Sequence, residues 1–167
     1  VTVDPQDPTK FIVTPVPTDP SKDVTVDIPT GSYEDKGGNP GEGDKETADL
    51  PPTVEITYDP TGPTFTIDFT EEPINPDTGK PFTEKEIKDL ITSDPKNNLG
   101  PDTTVTVDPQ NPTKFIVTPV PTDPSKDVTV EIPTGSYEDK GGNPGEGDKE
   151  TADLPPTVEI TYDPVHD

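Results

Sequence analysis

Apolar residues are few in this chain, yet they fall into short runs of strict alternation: Val54, Ile56 and Tyr58; Phe65, Ile67 and Phe69; Val105 and Val107; Phe115 and Val117; Val128, Val130 and Ile132. Threonines and acidic residues occupy most of the positions between them. A side-chain period of two belongs to a half-buried strand, so each run predicts a strand of about five to seven residues with one face toward a core. The clusters "DPTGP", "DPQNP" and "TDPSKD" separate the runs. They read as turns, because Pro fixes φ and Asp bonds the backbone that follows it. Prolines at the strand borders cannot donate to a ladder, and they discourage edge-to-edge pairing of neighbouring domains.

The stretch "PFTEKEIKDLI" breaks the alternation. Thr83 is placed to cap a helix, Glu86 to close a capping box and Phe82 to staple onto Ile87. Ile87, Leu90 and Ile91 then share one face, and Pro95 ends the element. One short helix among some seven strands predicts an all-β fold, an Ig-like β-sandwich of about 100 residues.

The string that begins at Val1 begins again at Val105, 104 residues later, and runs on through Pro60 and Pro164. Only Asp7, matched by Asn111, and Asp27, matched by Glu131, interrupt the identity. A period near 100 fits tandem whole domains rather than a solenoid, whose repeats are about 20–50 residues. The segment from Thr61 to Thr104 occurs once, and after Pro164 "VHD" stands where "TGP" follows Pro60. Residues 1–51 therefore read as the C-terminal half of a repeat and residues 52–154 as a complete repeat. Residues 155–167 read as the first strand of another repeat with a divergent tail. A permuted unit spanning Val1 to Thr104 uses the same residues.

Charge changes the picture next. The 167 residues include 35 Asp plus Glu against 12 Lys plus Arg, a net charge of -23. Nucleic acid and anionic membranes select basic surfaces and are not expected partners. Hydrophobic content is 24% with 26 prolines, a balance typical of disordered chains; the ordered alternation argues the other way. No run approaches the roughly 20 apolar residues of a membrane helix and no signal peptide is seen, so a soluble, monomeric chain is expected. Cys is absent and His166 is the single His, so any cross-linking metal must be a hard cation held by oxygen. With so thin a core, extra stabilisation of this kind is needed.

The acidic string "YEDKGGNPGEGDKETADLPPT" spans Tyr33–Thr53 and recurs at Tyr137–Thr157. It holds Asp35, Asn39, Asp44, Glu46 and Asp49 in the first copy, and Asp139, Asn143, Asp148, Glu150 and Asp153 in the second. Glu71 and Glu72 end the strand "FTEEP", while Asp59 and Asp163 close the strand that follows each string. Carboxylates about 4 Å apart repel by roughly 4 kcal/mol at an effective dielectric of 20, so a loop that gathers them needs a counter-ion. Ca²⁺ suits oxygen donors in irregular geometry. These fourteen residues are the candidate ligands, with Asp49 and Asp59, or Asp153 and Asp163, meeting at junctions between repeats. The spacing is not that of an EF-hand, because Pro144 stands where the turn glycine belongs. A solvated acidic linker is the competing reading.

Catalytic patterns are missing. There is no phosphate-binding Gly loop after a strand, no Ser/His/Asp set, and Glu71 and Glu72 are adjacent rather than facing across a cleft. A carbohydrate- or partner-binding sandwich is the alternative, with Tyr33 and Tyr137 as its least constrained aromatics. Threonine runs such as "TVTV" match the outward face of ordinary strands and do not argue for ice binding.

The acidic strand end "FTEEP" and the closing "VTVEIPTGSYEDKGGNPG", on a nearly invariant period, resemble the bacterial Ig-like repeats in the extender regions of giant RTX-type surface adhesins, ice-binding ones included. The resemblance implies an extracellular, passive spacer on the bacterial surface. In it, Ca²⁺ stiffens tandem domains and neighbouring repeats are the partners. It implies no direct membrane contact and no small-molecule substrate, with adhesion left to a distal domain.

Overall fold

The computed structural model describes residues 1–162, which divide into a unit Val1–Leu50 and a second that begins at Pro51. Both are built of antiparallel strands, and the described residues contain one α-helix. That helix is neither long nor apolar enough to cross a membrane.

The first unit consists of two hairpins. Strands β1 (Thr2–Asp4) and β2 (Asp7–Ile12) pair with Val3 opposite Phe11, around a turn in which the Asp4 carboxylate accepts from the Gln6 amide. Strands β3 (Val24–Ile28) and β4 (Asp44–Ala48) pair from Val24↔Ala48 to Ile28↔Asp44.

The second unit opens with β5 (Val54–Asp59) and β6 (Thr64–Phe69), joined by a turn in which Asp59 accepts from both the amide and the hydroxyl of Thr61. A small hairpin, β7 (Ile74–Asn75) with β8 (Lys80–Pro81), leads to helix α1 (Glu84–Thr92). Thr83 caps this helix in a reciprocal box: the Glu86 amide donates to the Thr83 hydroxyl, and the Thr83 amide donates to the Glu86 carboxylate. Ile87 and Ile91 are buried from it. Strands β9 (Thr104–Asp108), β10 (Asn111–Thr118), β11 (Val128–Ile132) and β12 (Asp148–Ala152) follow.

Four strands form one sheet in the order β5-β6-β10-β9, while β11 and β12 make a separate pair. Alternation is kept as the sequence predicts: Phe65, Ile67 and Phe69 on β6 point inward between Thr64, Thr66 and Asp68. These residues share one core with Val54, Ile56, Phe115 and Val117 of the sheet, Ile87 and Ile91 of α1, and Val128, Val130 and Ile132 of β11. Each such side chain, once buried, contributes about 1.5–3 kcal/mol. Fold class is thus all-β with several antiparallel sheets.

Two features were not written in the apolar pattern. "DKETA", which reads as part of an acidic loop, is strand β12, paired residue by residue with β11 from Val128↔Ala152 to Ile132↔Asp148. Asn98 adopts a left-handed conformation (φ 57°), which Asn tolerates better than most residues. Its buried side chain fastens the "TDPSKD" turn: the amide group donates to the carbonyls of Asp123, Lys126 and Asp127, and its oxygen accepts from the Asp123 amide.

The directions of β5 and β12 fix the path of the chain. The Pro52 carbonyl accepts from the Glu146 amide, and farther along the Ile56 amide donates to the Asp148 carboxylate. Both strands therefore advance the same way. Pro52 lies at one pole, beside the start of β12. Leu154–Pro156 leave at the other, sharing a cleft with Pro63 of the β5–β6 turn and Pro119–Pro121 after β10.

Candidate metal centre

The pole at Pro52 is built around the Gly-rich loop between β11 and β12. Tyr137 roots it. Its ring lies flat over Gly145, where a Cβ atom would come within 2.1 Å of the ring, and its hydroxyl sits 2.8 Å from the Glu146 carbonyl and 3.2 Å from the Pro52 carbonyl. Only glycine permits that contact. Burial, then the charges of Glu146 and Glu71, push the Tyr137 hydroxyl well above its ordinary pKa.

Asp139 is the hub of the loop tip. Its two carboxylate oxygens accept from the backbone amide of Asn143 (2.9 Å) and from the side-chain amide of Asn143 (2.8 Å), and its own amide donates to the Asn143 carbonyl (3.1 Å). The reversal passes through Gly142 at φ +88°. Asp139 is buried. Burial pushes its pKa up, but the Asn143 side chain and the amides of Asn143, Gly141 and Gly142 outweigh it, so the carboxyl titrates below its ordinary value.

Glu71 reaches the same pole from the end of β6. The Thr70 amide donates to the Thr53 carbonyl, and Ile74 exchanges two backbone hydrogen bonds with Glu138 (2.8 and 3.0 Å), which draws "EEPI" against the loop. Carboxylate oxygens of Glu71 and Asp139 lie within 4.8 Å of each other. Charges at that separation repel by roughly 3 kcal/mol at an effective dielectric of 20. A calcium ion bonds oxygen at about 2.4 Å and so spans such a gap. The donor set therefore fits a hard cation.

Most of the other expected ligands have different surroundings. Glu72 pairs with Lys140 (3.0 Å), Asp148 holds the Ile56 amide, and Glu150 stands opposite Val130 within the β11–β12 pair. Asn143 donates its side-chain amide to Asp139. Asp153 is exposed after β12. Asp59 serves its own turn at the opposite pole, some 23 Å of extended strand from Pro52. In the first unit Asp35 and Asn39 repeat the loop-tip bonds (2.9 Å to the amide and 2.9 Å to the side chain) while exposed. Asp44 accepts from the Lys45 amide, Glu46 stands opposite Val26, and Asp49 is exposed after β4. Asp163 lies outside the described residues.

The hub role of Asp139 and the anchoring role of Asp148 escape a reading based on charge alone. The signal was present as Asp followed four residues later by Asn with two glycines between, a spacing that lets one side chain collect successive backbone amides. No family model, curated protein or solved structure matches the chain.

Proposed function

We propose that the chain is a spacer: Ig-like β-sandwich repeats from the extender region of a bacterial surface adhesin, working outside the cell and stiffened by Ca²⁺. The observation that carries this reading is the course of the chain through the second unit, which arrives at Pro52 and leaves past Leu154 at the opposite pole. A domain threaded in this way lengthens an array with every repeat, by at least the roughly 20 Å of a six-residue strand. Glu71 and Asp139, gathered at the pole where the chain arrives, are the Ca²⁺ ligands in this proposal, with carbonyl oxygens and water completing the shell. Neighbouring repeats are the partners.

The test is the melting of the full chain in chelator and in rising calcium. Extracellular-class sites would stabilise the second unit by about 1–3 kcal/mol once calcium reaches 10–100 times the dissociation constant. Glu71→Gln should remove most of that gain. Identical melting with chelator and with calcium would sink the metal part of the proposal, and scattering from longer arrays that shows no calcium-dependent stiffening would sink the strut.

A further inference from the structure

Val1–Leu50 and Val105–Leu154 differ at two positions and form the same hairpins in the same registers. Their apolar faces meet opposite fates. Phe11 is 62% exposed and Phe115 2%; Ile28 is 51% exposed and Ile132 0%; Tyr33 is 55% exposed and Tyr137 1%. In the second unit, what covers this face is the segment that occurs once: β5, β6 and α1, with Phe65, Ile67, Phe69, Ile87 and Ile91 in the shared core.

We infer that the apolar face of Val1–Leu50 is a docking surface whose occupant is the front half of a repeat, a polypeptide with the sequence of Pro51–Thr104. The receiving groups are already in place. Strand β10 bonds β6 along one edge, with Phe115 opposite Ile67 and Lys114 opposite Asp68. The matching edge of β2, with Lys10 and Phe11, has no strand beside it among the described residues. Tyr137, Glu146 and Asp148 hold Pro52 and Ile56 of β5. Their counterparts Tyr33, Glu42 and Asp44 stand in the first unit, and the Tyr33 hydroxyl already lies 3.0 Å from the Glu42 carbonyl as its twin does. Strand addition to the β2 edge supplies main-chain bonds, and the covered side chains supply the apolar area.

The full 167-residue chain, titrated with a synthetic Pro51–Thr104 polypeptide and followed by amide hydrogen exchange, tests this. Expected is saturable one-to-one binding that slows exchange along the β2 edge, from Phe11 to Val13, by about 100-fold or more. Burying two new carboxylates in the Phe11→Asp, Ile28→Asp variant should weaken binding by about 100-fold or more while melting of the unit from Pro51 stays unchanged. Absence of saturation, or binding indifferent to that variant, overturns the inference. So does protection of the same amides by concentration alone, which would make a second copy of the chain the occupant. Should the polypeptide precipitate, the same segment fused ahead of Val1 must protect the β2 edge and Tyr33 equally; unchanged exchange there overturns the inference too.

Discussion

The two copies of the duplicated sequence separate what local sequence specifies from what only a distant segment supplies. Each copy makes its hairpins, its Asp-led turns and its Gly-rich loop with the same partners. Turn chemistry and strand pairing are short-range and travel with the residues. Burial does not. Phe11, Ile28 and Tyr33 face water with the same letters around them that enclose Phe115, Ile132 and Tyr137. The side chains that make the difference lie between Val54 and Leu99.

The comparison can be tested by making each change in both copies. Phe115→Ala should cost about 3–5 kcal/mol through lost burial and a cavity, while Phe11→Ala should leave stability within about 0.5 kcal/mol; urea unfolding followed by amide signals of each unit reads both. A similar loss for the two would mean that the first face is covered in solution.

Asn98→Ala comes next, at about 2–3 kcal/mol, because it strands the Asp123 amide and three carbonyls. The "TDPSKD" turn of the first unit has the same internal bonds, with the Ser21 amide on Asp19 as the Ser125 amide is on Asp123. Exchange within the second turn should therefore speed up without its internal pattern dissolving.

Asp139→Asn should cost about 1.5–3 kcal/mol, the worth of hydrogen bonds to a charged acceptor, whereas Asp35→Asn should leave thermal melting unmoved. The pH dependence fixes the sign. Because the folded-state pKa of Asp139 is lowered, its contribution is fully present above the unfolded value of about 3.9 and is lost as pH falls through the folded value. The melting gap between wild type and Asp139→Asn should therefore close on acidification below about pH 4. A constant gap would assign the loss to shape rather than charge.

The smallest effect should be the same in both copies. Thr25 and Thr47, like Thr129 and Thr151, place hydroxyls 2.8 Å apart across their strands. Thr25→Val and Thr129→Val should each cost about 0.2–1 kcal/mol, with local exchange responding equally.

Much of this was readable in advance. The alternation on β6 and β11 and the Thr83–Glu86 box are local, and they appear where the residues put them. Strand order was not, since placing β10 between β6 and β9 depends on pairing between distant residues. Strand β12 was hidden because "DKETA" carries only Ala152 on its apolar phase, with half-buried Asp148 and Glu150 in place of hydrocarbon. The acidic loop was legible as special, but its charge count did not register the backbone amides. Asp139, Asp148 and Asp59 turn toward peptide N–H groups, and Glu71 with Asp139 shows the crowding that charge alone foretold.

The shared direction of β5 and β12 also has a mechanical meaning. Tension applied at the two ends of the second unit pulls these neighbours lengthwise past each other, loading the Pro52–Glu146 and Ile56–Asp148 bonds together in shear instead of peeling them one by one. Forced rupture is governed by the unfolding rate, so a link of this kind resists pulling by its barrier to unfolding and not by its equilibrium stability.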